Sequence, residues 1–274
     1  MRLFIGIATI LVLTLGCGRN AEYYIKQGDK LIAEGKVKEA IKQYERAVKA
    51  DSKSHVAYNS LGTALCLAGD YDAGIQHLRK SVELKDDFLE GHYNLARALS
   101  LKGEFKEALA EYKKVVTIDS TYALAYLGAG ELFADMKMPE QAVASFKKAI
   151  HFSPNLVQAR MALAAAYIGL GQYDDAIEEL LKAREVQPRN LDLLGMAARA
   201  AMLKRDFNKA VDLFKELVSA DSTNAGYRND YATALMLSGQ RDRAIGEWEA
   251  ILRMNPPPDL ERVVRENLSR ARGR

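Results

Sequence analysis

Side chains with reactive chemistry are few in this chain. Its 274 residues include two cysteines, Cys17 and Cys66, and four histidines, His55, His77, His92 and His151. No HxxxH, CxxC or mixed Cys/His spacing brings them together, so no metal site is expected. Cys66 would lack a resolving thiol for a redox role once Cys17 is acylated. Gly128-Ala129-Gly130 is rich in glycine, but a phosphate cradle needs free N–H groups where a strand gives way to a helix, and no strand pattern precedes it. The acidic pairs Asp174-Asp175 and Glu178-Glu179 read as helix-terminus charges. No GxSxG, Walker A or HExxH run occurs. No catalytic residue, cofactor or small-molecule substrate is therefore expected, and the chain does not read as an enzyme. The thiol left over is Cys17, which closes a run of fourteen uncharged residues, Leu3 to Gly16, just before a charged amphipathic stretch. It is either the last residue of a buried helix or a point of attachment.

The elements around these residues decide between the two. Hydrophobic residues make up 49% of the chain and charged residues 27%, as in a folded protein, and the net charge of +3 is not gathered in any block that would favour nucleic acid. Cut every 34 residues from Ala21, the sequence falls into seven segments without insertion or deletion: 21–54, 55–88, 89–122, 123–156, 157–190, 191–224 and 225–258. Position 8 of each segment is Gly28, Gly62, Ala96, Gly130, Ala164, Ala198 and Ala232. Position 20 is Ala40, Gly74, Ala108, Ala142, Ala176, Ala210 and Ala244. Position 24 is large: Tyr44, Leu78, Tyr112, Phe146, Leu180, Phe214 and Trp248. Small residues at 8 and 20 let two helix backbones approach, and the large residue at 24 fills the gap beside them. Position 15 is glycine in five segments (Gly35, Gly69, Gly103, Gly171 and Gly239), suited to ending a first helix in the left-handed conformation. No single helix pair can bury its stripe alone, so neighbours must stack into one core.

A 34-residue helix–turn–helix unit with these columns resembles the tetratricopeptide repeat. The resemblance implies an all-α fold, a right-handed α-solenoid of seven units over residues 21–258, with 259–274 as a capping helix and tail. It also implies function through a concave groove lined by positions 2, 5, 6, 9, 12 and 13 of the first helices. Here those positions supply Asn59, Thr63, Tyr93, Asn94, Arg97, Glu131, Met161, Arg199, Met202, Asn229 and Asp230, a mixture of apolar anchors and amides that suits a protein or peptide ligand. The Lys/Asn clamp by which some members of the family hold acidic C-termini is missing: the first unit has Ile25 and Asp29 at its positions 5 and 9. Two units depart from the glycine column. Lys137 and Pro139 lead to the expectation of a turn tightened by proline in the fourth. Arg205 and Ala201 lead to that of looser packing in the sixth.

The N-terminus carries a second resemblance. Arg2 followed by the apolar run fits a signal peptide, and the run is shorter than the roughly 18 residues of a membrane span. Leu13-Thr14-Leu15-Gly16-Cys17 is similar to the lipobox of bacterial lipoproteins, where the cysteine is lipidated and becomes the mature N-terminus. On this reading residues 1–16 are the signal peptide, Cys17 is the lipid attachment point, and 17–20 form a short linker. The expected location is a bacterial membrane, facing the periplasm or exterior, with the outer membrane favoured in a diderm because Gly18 and not Asp follows the cysteine. The functional expectation is a non-catalytic, membrane-anchored scaffold, an accessory factor in envelope assembly, secretion or pilus biogenesis. Two alternatives stay open: a self-associating structural scaffold, and a cytosolic-side adaptor with an uncleaved N-terminal anchor.

Overall fold

The computed structural model describes residues 20–273, and Cys17 with the rest of the N-terminal run lies outside them. The described residues are all-helical, with no strand. Helix α1 spans residues 20–33. It is followed by α2 (Val37–Ala50), α3 (His55–Leu67), α4 (Tyr71–Leu84), α5 (Leu89–Lys102), α6 (Phe105–Ile118) and α7 (Ala123–Asp135). Then come α8 (Pro139–Phe152), α9 (Val157–Gly169), α10 (Tyr173–Val186), α11 (Leu191–Lys204) and α12 (Phe207–Ala220). The chain ends with α13 (Ala225–Leu237), α14 (Arg241–Arg253) and α15 (Pro258–Arg272). From α2 onward every second helix starts 34 residues after its counterpart, at Val37, Tyr71, Phe105, Pro139, Tyr173, Phe207 and Arg241. The fold is thus a helix–turn–helix repeat array of the solenoid class. None of the described helices is long and apolar enough to cross a membrane.

Two compact units divide the chain, Met1–Leu132 and Phe133–Arg274. In the N-terminal unit the small-residue columns bring α3 and α4 into backbone contact. A Cβ on Gly62 would lie 2.8 Å from the Gly74 carbonyl oxygen, and one on Gly74 would lie 2.8 Å from that of Gly62. Leu78, Leu95, Leu99, Tyr112 and Val115 fill the space between neighbouring pairs. Ser81, on the apolar stripe of α4, is fully buried and donates its hydroxyl proton to the His55 carbonyl at 2.7 Å, so burial leaves it satisfied. In the C-terminal unit the core is built from Phe146, Leu163, Leu180, Leu193, Phe214, Leu217, Leu235 and Trp248.

The turns inside the repeats correct two expectations. Gly103 ends α5 with φ of 85°, and its N–H reaches the carbonyls of Leu99 and Ser100. Lys137 and Arg205 adopt the same left-handed conformation, with φ of 60° and 66°. The next N–H in each turn bonds five residues back, Met138 to Phe133 and Asp206 to Ala201, as Glu104 does to Leu99. These paired bonds hold the position left-handed whatever its side chain. Pro139 does not tighten the fourth turn; it is the first residue of α8, where its missing N–H costs nothing. Nor is the sixth unit looser: Ala197, Ala198, Ala200 and Ala201 are all fully buried, because small residues let α11 lie close to its neighbours. A non-glycine left-handed residue costs about 1 kcal/mol or more, so Lys137→Gly and Arg205→Gly are each expected to raise stability by about 1 kcal/mol. Urea midpoints check this, and an unchanged or lowered midpoint would show that the side chains have compensating contacts.

Three repeats carry a polar pair between the first helix and the second. His92 Nδ1 lies 2.6 Å from Glu111 Oε2, and its Nε2 lies 2.8 Å from the Asp86 carbonyl. Arg160 meets Glu179 and the Pro154 carbonyl, and Arg228 meets Glu247 and the Ser222 carbonyl. Each pair joins repeat positions 4 and 23, and each carbonyl lies six residues before the cation. His92 faces an acceptor at both ring nitrogens, so the arrangement asks for the doubly protonated ring. The bond to Glu111, and then that to the Asp86 carbonyl, raise its pKa above the ordinary value of 6.5, against the opposing effect of burial. A raised folded pKa contributes stability that is complete below 6.5 and is lost as pH rises through the folded value. The N-terminal unit is therefore expected to weaken as pH rises above 6.5 through the raised folded value, while His92→Arg, the residue type of the other two pairs, flattens the profile. Urea titrations across that range test it; an identical slope in the variant would remove His92 as the cause.

Candidate functional site

The expected groove residues fall on first helices, and the structure brings several of them, though not Thr63, Met161 or Asn229, into one cluster in each unit. In the N-terminal unit, Asn94 on α5 donates from Nδ2 to Asn59 Oδ1 on α3 at 3.0 Å, linking the first helices of two successive repeats. One residue earlier, Tyr93 is half-buried. Its ring centroid stands 6.1 Å from that of Tyr112 on α6 and 5.4 Å from that of Tyr122, just before α7. The Arg97 guanidinium lies over the Tyr93 ring at 5.8 Å. Burial raises the phenol pKa of all three tyrosines, that of Tyr112 to about 12. The Glu131 carboxylate adds to the shift at Tyr93, so Glu131 belongs to the same neighbourhood. Thr63 is exposed on α3. The result is an amide pair beside a neutral aromatic face capped by a cation. Amides can bond a peptide backbone, while the ring and guanidinium can hold an apolar or acidic side chain.

In the C-terminal unit, Arg199 and Met202 on α11 and Asp230 on α13 line one cavity of about 350 Å³, floored by Phe214. Asp230 Oδ2 stands 3.8 Å from Arg199 Nη1. Burial raises the Asp230 carboxyl pKa and Arg199 partly offsets this. Asn229 serves the fold: its Oδ1 accepts the indole N–H of Trp248 at 3.2 Å. Met161 is half-exposed on α9. Tyr122 and Phe214 were not singled out by sequence as site residues. Phase alone hides Tyr122, which sits outside the helices, whereas Phe214 was legible as the large residue of position 24. Among the described residues no group of His, Cys, Asp and Glu could hold a metal ion. Cys66 is a free, half-buried thiol whose pKa burial raises, which weakens it as a nucleophile.

Models of the tetratricopeptide repeat match residues 25–87, 96–137 and 133–201, together more than half of the chain. The chain is therefore a tetratricopeptide-repeat protein, of the class whose members act through protein interaction. It is 38% identical over 74 residues to DnaJ homolog subfamily C member 3 of Gallus gallus, a match that covers 26% of this chain and 15% of that protein. A thermophilic TPR protein of Thermus thermophilus is 26% identical, with a TM-score of 0.55 over 66% of this chain and 99% of that one. PilF of Pseudomonas aeruginosa is 18% identical, with a TM-score of 0.64 over 79% of this chain and 96% of that one, and speaks for the fold alone.

Proposed function

We propose that this protein is a non-catalytic scaffold, lipid-anchored to a bacterial membrane through Cys17, that holds a protein or peptide partner against the inner face of its first helices. Its role on this reading is that of an accessory factor in envelope assembly, secretion or pilus biogenesis, with the outer membrane the favoured site in a diderm. The observation that carries the binding part is the cluster of Asn59, Asn94, Tyr93 and Arg97, where amide, aromatic and cationic groups from two successive repeats share one neighbourhood. The anchoring part is supported by the apolar run that ends at Cys17, and by residue 20 already lying in α1, which leaves at most Gly18 and Arg19 between the thiol and the described helix. Two residues span at most about 7 Å, so the first repeat would stand close to the bilayer.

Cross-linking in cells followed by capture of the intact protein tests the binding. The double variant Tyr93→Ala, Arg97→Ala is expected to weaken partner capture by about tenfold or more with helicity intact, and unchanged capture would show that the cluster is not the contact. Mass spectrometry of the N-terminal peptide tests the anchor. An acylated Cys17 is expected, Cys17→Ser should leave the membrane fraction, and an unmodified Met1 start would overturn the lipoprotein reading.

A further inference from the structure

The cavity beneath Arg199 has a copy one repeat further on. A second cavity of about 190 Å³ is lined by Met236, Leu237 and Trp248. These stand 34 residues after Met202, Leu203 and Phe214 of the first cavity. Thr233 lines both, so the two adjoin. In each, a leucine forms an exposed lip, with Leu203 56% and Leu237 50% exposed, over a buried aromatic floor. The far wall of the first cavity comes from α13, through Asp230 and Thr233. That of the second comes from α15, through Asn267 and Arg270. Helix α15 thus does for the seventh repeat what α13 does for the sixth: it completes a socket as well as covering an end.

The charges around the sockets are unequal. Arg199 lines only the first and Arg270 only the second, one on each side of the shared Thr233. The one acid present, Asp230, already faces Arg199. Arg270 has no acidic partner among the described residues. We propose that the two sockets form one tandem docking site for an acidic amphipathic helix of a partner protein, which seats two bulky apolar side chains two turns apart. Packed helices stand roughly 8–10 Å apart, and α13 packs on α15. Seven residues of α-helix rise roughly 10.5 Å and return to the same face. An extended strand repeats a face at roughly 6.6 or 13 Å, which fits that step less well. The thioethers of Met202 and Met236 adapt to whichever apolar side chain enters, and Arg270, without an acidic partner among the described residues, selects acidic flanks. The proposal rests on the groove reading above and adds the class of partner.

The protein carries its own reporter, because Trp248, its single tryptophan, floors the second socket. The probe is a synthetic helical peptide of about 18 residues with leucines at i and i+7 and glutamates around them, titrated against the full chain. A saturable shift of Trp248 emission is expected. Binding should be about tenfold weaker or worse for the same peptide with lysines in place of glutamates. Leu237→Ser, on an exposed lip, should weaken binding to a similar degree without loss of helicity, and Arg270→Glu should shift the preference towards the lysine peptide. No saturable shift, equal binding of both peptides, or tighter binding of a proline-rich extended peptide with the same leucines would each overturn the proposal. So would concentration-dependent self-association abolished by Leu237→Ser, which would make a second copy the occupant. If the helix peptide fails while the Tyr93→Ala, Arg97→Ala variant still loses its cellular partner, the groove reading stands and only this site falls.

Discussion

Replacing Arg160 by alanine is expected to lower the stability of the C-terminal unit by about 3 kcal/mol, far above a typical surface change. Arg160 and Glu179 are only 12% and 15% exposed at the side chain. Arg160 also donates from Nε and Nη2 to the Pro154 carbonyl at 3.1 and 2.9 Å. Its removal leaves Glu179 with Lys182 at 3.2 Å as its remaining ion-pair partner, and leaves the loop carbonyl without its two donors. Because the cost comes from stranding a partner, the double change Arg160→Met, Glu179→Leu should recover most of the loss. Arg228→Ala should cost less, since Arg228 Nε is buried without a hydrogen-bond partner among the described residues and that pair begins with a deficit. Urea midpoints and hydrogen exchange over α9 and α10 provide the measurement. A double variant no better than the worse single one would show that the pair acts through packing and not through charge.

The second large effect is steric. Gly74→Val is expected to cost about 3 kcal/mol and to open the α3–α4 hairpin first. A Cβ at Gly74 would lie 2.3 Å from Cys66 Sγ, 2.8 Å from the Gly62 carbonyl oxygen and 3.1 Å from the Cys66 backbone nitrogen. Two of those three atoms are backbone and cannot rotate away. Gly74 is the fourth residue of α4, where alanine gains at most about 1 kcal/mol over glycine, so Gly74→Ala sets propensity against contact, and the backbone contacts should win. Its midpoint should lie below that of the natural protein and above that of the valine variant. An alanine variant as stable as the natural protein would mean that the two helices part as readily as the Ala96 and Ala108 pair of the next repeat already does.

These two predictions also mark where sequence was informative. The glycine and alanine columns were legible because close backbone approach admits only two residue types, and their period places the helices. The turn at position 15 was legible where it held glycine and illegible at Lys137 and Arg205, because backbone hydrogen bonds impose the conformation there. The pairs of His92, Arg160 and Arg228 with Glu111, Glu179 and Glu247 emerge only when columns 4 and 23 are read together. In the site, repeat phase placed Tyr93, Asn94 and Arg97 on one face. It could not reveal that the Asn229 oxygen is already held by Trp248, nor that Leu203 and Leu237 form the lips of sockets. Those facts depend on the second helix and on α15, which lie outside the column of any first-helix position.

The pairs at positions 4 and 23 have a further consequence. They are ionic in the third, fifth and seventh repeats, while the second, fourth and sixth hold Tyr58 with His77, Tyr126 with Ser145 and Leu194 with Leu213. From the second repeat to the seventh the chain therefore counts in twos, while the first repeat, with Tyr24 and Gln43 at these positions, stands outside the alternation. Losing or gaining one repeat would set two hairpins of the same kind side by side, whereas losing or gaining two would keep the alternation. A duplication that lengthens this run has a natural step of two repeats, and a library of shortened forms cut in that step from the C-terminal side would retain the order of salt-sensitive and salt-insensitive hairpins from the second repeat onward.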